Sequence, residues 1–323
     1  MTRHDFYDNL IQMALKNSVY GESISFAFYK TLSIPFLRPA FSKGVTSIMY
    51  NFFIRQHTAA LIKRIPISKV DHPLDEIIPF NPSWITIYHD FSAFWVRTLS
   101  FFLKHYGRKS YKVSSDFIIS IGKLYALAAD VYRRNLSTTK RPFYISRPQF
   151  LIIHLLDPHL MCIPSLHVMV VIHTFKSFAL MSKSLGTEKE LMPQYEELKQ
   201  GALAITRSIL FVKQHSINCI AASLYAMTCF SPDVFTDDDV QDFVDQLFCP
   251  APDPTTCPSG DARLLANYKV HPSASPDINI SKEDQEKIKA HIFNLYRKFA
   301  SENPGSQNWY DPLLNYLQNQ PRH

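Results

Sequence analysis

The stretch Cys162-Ile163-Pro164-Ser165-Leu166-His167-Val168 opens an apolar run that continues to Met181, and its reading organises the rest of the chain. Proline suits the first turn of a helix, where its missing N–H is not needed, so the run reads as a helix starting near Pro164. The amides of Ser165, Leu166 and His167 are then donors at the positive end of a helix, a physical setting that favours a phosphate. Ser165 adds a hydroxyl, and His167 adds an imidazole that titrates near neutral pH.

Two further strings flank this one. Upstream lies Lys140-Arg141-Pro142-Phe143-Tyr144-Ile145-Ser146-Arg147-Pro148. Its Lys140 and Arg147 bring positive charge, Arg147 through a planar fork that grips two oxygens at once. Downstream, Ser208-Ile209-Leu210-Phe211-Val212-Lys213-Gln214-His215 supplies a second imidazole. Together the strings read as an anion pocket with two histidines, His215 the nucleophile and His167 the proton donor.

The arrangement resembles the type 2 phosphatidic acid phosphatase superfamily, which includes the vanadium haloperoxidases. Lys140, Arg147 and Pro148 fit its lysine, six residues, Arg-Pro pattern, while Pro164, Ser165 and His167 fit Pro-Ser-Gly-His with Leu166 in place of glycine. The Cys-x-Pro-Ser-x-His-Val variant is similar to the inositol phosphorylceramide synthase-like branch. So are Pro73-Leu-Asp-Glu-Ile-Ile-Pro79-Phe80 followed by Tyr88, and Lys213-Gln214-His215. The resemblance covers about residues 73–230. Two positions depart from it: Ile209 stands at the family's arginine, which leaves Arg207 or Lys213 to supply that charge, and Cys219 stands at its aspartate. In the family that aspartate orients the nucleophilic histidine; a thiol is a poor acceptor. Cys219 reads as lying one helical turn from His215, with Asn218 pointing elsewhere.

The resemblance implies a helical bundle and a phosphatase or phosphotransferase that needs no metal or other cofactor and binds vanadate as a phosphate mimic. The substrate is a phosphoester, a lipid headgroup or a soluble small molecule, turned over through a phosphohistidine on His215. Lys140, Arg147, Ser165 and the Leu166 amide, with Arg207 or Lys213, hold the phosphoryl oxygens. The alternative, raised by Cys219 and Ile209, is a phosphate- or headgroup-binding protein that keeps the fold without turnover. Vanadate-dependent halide oxidation ranks below both.

Composition bounds these readings. With 323 residues, 46% hydrophobic and 13% aromatic, the chain can bury a large core. A net charge of +6 without a long basic run suits anionic substrates or membrane surfaces, and no nucleic-acid module is recognisable. Five cysteines without regular spacing argue against a disulfide framework and for a reducing compartment. The charged residues among Met1–Tyr20 do not suit a signal peptide. The apolar segments 84–103, 113–132 and 168–185 each carry ionisable groups, and the mean hydropathy is −0.10. A cytoplasmic protein, soluble or membrane-peripheral, is expected rather than an integral one.

Helical spacing of the apolar residues makes the chain all-α. Helices are expected over about 4–17, 22–34, 40–63, 84–105, 113–135, 149–156, 164–185, 190–229, 237–247 and 281–301, with Gly186 ending the seventh and Pro193 near the start of the eighth. Residues 250–276 read as an extended connection. The expected organisation is N-terminal helices over 1–72 packing on a phosphatase-like core over 73–230, then a connection and an amphipathic helix over 231–323. That last helix carries Ile288, Ile292, Leu295, Tyr296 and Phe299 on one stripe, which reads as core-facing. A membrane-lying basic helix is the alternative.

Overall fold

The computed structural model describes residues 18–62, 64–249 and 279–323. The helix expected at 4–17 and the connection at 250–276 lie outside the described residues. Within them the chain is mainly helical, as the periodicity predicts.

The centre of the bundle is the helix that follows the Pro-Ser-x-His string, Leu166–Ser184. Val168, Met169, Val170, Val171 and Ile172 are all fully buried, and Phe175 and Phe178 nearly so. A helix apolar on every side must be surrounded. Its neighbours are Phe91–His105, Tyr111–Tyr132, Met192–Phe211 and Ile217–Phe230. Gly186 ends it at φ 70°, with its amide on the Lys183 carbonyl (3.1 Å) and the Thr187 amide on that of Ser182 (2.9 Å). These paired bonds satisfy carbonyls that the last turn leaves free.

The N-terminal segment packs on this core through a close helix crossing. Helix Arg38–Ile48 meets Tyr111–Tyr132 where Gly44 faces Ile118 and Gly122; a Cβ on Gly44 would lie 2.9 Å from the Ile118 carbonyl oxygen. Only glycine permits that approach. The expected helix over 40–63 is not uniform: a π-helical stretch, Met49–Ile54, separates Arg38–Ile48 from Arg55–Ile62. Likewise 84–105 divides into Ile85–His89 and Phe91–His105.

The helix expected over 190–229 is two helices, Met192–Phe211 and Ile217–Phe230. Lys213 adopts φ 54°, which no α-helix accommodates, and the amides of Gln214 and His215 both return to the Ile209 carbonyl (3.0 and 3.2 Å). Ser216 caps the second helix by accepting from the Asn218 amide (3.2 Å). His215 therefore sits in a turn.

A short parallel pair, β1 (Ile67–Lys69) and β2 (Leu136–Thr138), was not expected. Its bonds join all three parts of the chain, because Ser68 also bridges Arg322 and donates to the Leu317 carbonyl (2.7 Å). The amphipathic helix is Lys282–Glu302, packed on Ile217–Phe230 with its whole apolar stripe buried. The core-facing reading of that stripe holds, which removes this face from any membrane role. A further helix, Asp311–Gln318, follows it.

Candidate functional site

The structure brings the two sequence-selected histidines together. His215 Nε2 lies 3.3 Å from His167 Nδ1 and 3.5 Å from Ser165 Oγ. Ser165 is the N-cap residue of the central helix, yet its hydroxyl does not cap it. The Leu166 and His167 amides, in the first turn, have no intrahelical partner by geometry. The Ser165 amide, expected to be a free donor, is instead taken by Ser223 Oγ at 2.7 Å.

Both rings are withdrawn from solvent, and that of His167 lies among aromatic side chains. Tyr88 stacks on His167 at 4.4 Å between centroids, and Phe91 leans on it at 4.0 Å. Burial pushes His167 down to about 3. It also pushes His215 well below its ordinary value, helped by the neighbouring rings of His167 and His159. Two neutral imidazoles therefore face each other at neutral pH.

His215 Nδ1 is buried without a hydrogen-bond partner among the described residues. Cys219, expected one helical turn away, is the third residue of a helix that starts after His215, so helical spacing no longer aligns the two. The thiol is fully buried, and burial pushes its pKa well up. Asn218 points elsewhere as expected, donating to the Val70 carbonyl (3.1 Å) and facing His291 Nε2 (2.8 Å).

The cations are arranged differently from the sequence reading. Arg147 is the N-cap residue of helix Pro148–Leu156 and makes no side-chain hydrogen bond or ion pair among the described residues. Arg141 takes the place beside His215: one guanidinium nitrogen meets Gln214 Oε1 at 3.2 Å, the other the Asp157 carbonyl at 3.3 Å. Arg207 donates to the Cys249 carbonyl (3.1 Å) and lies over Trp84. The Lys213 ammonium donates to the Asp75 carbonyl. Lys140, Arg141 and Lys213 do share one cleft of about 670 Å³, together with Asp71, Asp75 and Glu76.

A buried network behind His215 escaped the sequence reading. Thr139 Oγ1 pairs with His159 Nε2 (2.8 Å) and donates to the Gln214 carbonyl (3.3 Å). Asp157 accepts from the His159 amide and from Gln56, each at 2.8 Å, with Arg141 at 3.9 Å. Burial would raise the Asp157 carboxyl, but its bonds to His159 and the Arg141 charge outweigh this and hold it below the usual carboxylate range. Asp157 and Arg141 thus fix Gln214, and through it the turn that carries His215. The signal was present in two places: Arg141-Pro142 repeats the Arg-Pro dipeptide right after Lys140, and Asp157-Pro158-His159 interrupts an otherwise apolar stretch.

The segment at Pro73–Tyr88 also converges here. Asp75 Oδ1 accepts from the Ile217 amide at 2.9 Å, anchoring the start of the second helix, while Tyr88 covers His167. Among the described residues, no three His, Cys, Asp or Glu side chains are grouped to hold a metal ion. Comparison with protein-family models, curated proteins and solved structures gave no match for this chain.

Proposed function

We propose that this site binds a phosphoryl group at the paired His215 and His167, taking the place of their direct contact, and transfers it through His215 to water or another acceptor. The observation that carries the reading is the 3.3 Å approach of His215 Nε2 to His167 Nδ1 beside a helix start whose serine hydroxyl is turned toward the ring. In the first step the Nε2 lone pair forms an N–P bond, the P–O bond to the leaving group breaks, and His167 as imidazolium delivers its proton to the departing oxygen. Water then gives a proton to the now neutral His167 and attacks phosphorus, the N–P bond breaks with its electron pair returning to Nε2, and phosphate leaves with His167 again an imidazolium. Neutral His215 suits the attack. Protonation of His167 relies on the phosphoryl charge, which opposes the burial that lowers its proton affinity. Arg141 lines a cleft with Lys140 and Lys213 and also reaches Gln214, the neighbour of His215, so it is the cation that would draw an anion toward the pair.

A second reading, anion binding without turnover, is favoured by one specific observation: among the described residues, His215 Nδ1 has no acceptor to hold its proton. An attacking Nε2 requires the proton on Nδ1, where an unsatisfied buried donor costs about 1–3 kcal/mol.

Incubation with a labelled generic phosphomonoester, followed by alkaline trapping, separates the two. The transfer reading expects acid-labile, alkali-stable label on the wild type, absent from His215→Gln, competed by vanadate and insensitive to chelators. Vanadate or phosphate binding without label or turnover supports the second reading. Turnover abolished by a chelator and restored by a divalent metal overturns the first mechanism.

A further inference from the structure

Outside this site the least ordinary feature is a set of large apolar side chains that stay exposed among the described residues. Phe28, Tyr29, Leu32 and Phe36 are exposed on and just after helix Ile24–Ser33. Tyr50, Phe53, Ile54 and Leu61 continue the series through the π-helical stretch and helix Arg55–Ile62, with Leu61 83% exposed. Phe143 (85%), Ile145, Leu151 and Leu155 (71%) form a second group on the loop and helix at 143–156. The 2.8 Å bond from Gln56 to Asp157 ties the end of that helix to Arg55–Ile62, so these two segments are neighbours. Scattered exposed apolar residues need no explanation, but a series of this length does.

The charges in these segments have one sign. From Ser23 to Val70 there is no Asp or Glu, while Lys and Arg occur seven times; from Lys140 to Leu156 there are three cations and again no acid. Lys30 lies over Phe26 and Tyr29, and Arg55 over Tyr50, so cations are interleaved with the apolar rings. A second copy of the chain docked through the same face would set basic residues against basic residues. Among the described residues no helix is long and apolar enough to cross a membrane.

We infer that this face docks on an anionic lipid bilayer, its apolar side chains entering the headgroup region and its cations meeting lipid phosphates. Interfacial segments of this composition gain from apolar burial and from electrostatic attraction together. Tyrosines suit the boundary, and long Lys and Arg side chains reach outward from it. The inference does not depend on the phosphoryl reading. It adds to it, because Phe143 follows the cleft residues Arg141 and Pro142, which places the cleft mouth next to the lipid-facing side chains.

The test is co-flotation of the full chain with phosphatidylcholine vesicles, with and without phosphatidylserine, alongside sedimentation velocity. Flotation with the anionic vesicles, reduced by salt, is expected. The triple substitution Leu61→Ser, Phe143→Ser, Leu155→Ser should weaken partitioning about ten-fold or more, since burying one large apolar side chain is worth that much. Lys43→Glu with Arg64→Glu, both exposed, should remove the preference for anionic lipid and leaves the assay decisive if the triple variant fails to fold. The inference is overturned if the wild type stays soluble with both vesicles, or if folded variants float as well as the wild type. It is also overturned if the chain forms a concentration-dependent dimer that the triple substitution abolishes while no vesicle binds.

Discussion

Replacing Arg141 by alanine separates the cation that the structure places beside His215 from the one that the sequence pattern selects. Arg141 bridges Gln214 and Asp157 at 3.2 and 3.3 Å and lines the cleft, while Arg147 has no side-chain partner among the described residues. A charge-assisted hydrogen bond to a bound anion contributes about 1.5–3 kcal/mol, roughly 10- to 100-fold in Kd. The upper figure is reduced because the Asp157 carboxylate, 3.9 Å away, already neutralises part of the charge. Calorimetric titration with inorganic phosphate or vanadate should therefore show at least about a ten-fold loss for Arg141→Ala and less than about two-fold for Arg147→Ala. Arg141→Lys should fall between them, keeping the charge but losing the fork. Melting curves supply an independent readout. Asp157 has its pKa lowered on folding, so it adds stability above the unfolded value that is lost as pH falls through the folded one. The destabilisation by Arg141→Ala is thus greatest near neutral pH and shrinks in acid. A ten-fold loss in Arg147→Ala with Arg141→Ala near wild type would refute the reasoning and restore the sequence assignment.

Cys219→Asp, which the family pattern would present as a repair, should not raise turnover, because position 219 lies in the first turn of a helix that begins after His215; it should lower the melting temperature by burying a carboxylate near Asp75. A His215-dependent gain in phosphatase rate would show that the two side chains do meet. Acid should destabilise the protein between about pH 6.5 and 4, since burial holds His173 to about 4 and the unfolded chain takes up the proton first, at about 1.4 kcal/mol per pH unit. Thermal melts of His173→Gln should show a shallower slope over that range, and an unchanged slope would contradict the assignment. Gly44→Val should cost about 1–3 kcal/mol in denaturant unfolding, because the crossing with Ile118 and Gly122 has no room for a side chain; a neutral result would mean that the helices separate freely.

What could be read in advance follows from the range of the interactions involved. The central helix was legible because Pro164, the apolar run and Gly186 are local signals that agree, and burial on every side turned the run into the middle of the bundle. The stripe from Ile288 to Phe299 was legible for the same reason. The break at Lys213 was not, since apolar periodicity continues across it and the left-handed residue is a lysine, held in place by a bond to the Asp75 carbonyl 138 positions away in sequence. That single turn has the largest functional consequence. It takes His215 off the helix, aims Nε2 at His167, and removes the alignment on which Cys219 depended. Arg141 was hidden for a related reason: two Arg-Pro dipeptides occur within one loop, and only the distant Asp157 and Gln214 decide between them. The chemistry proposed here therefore rests on contacts that join separate strings. The proposed lipid-facing surface rests on the opposite kind of evidence, large apolar side chains that stay exposed among the described residues.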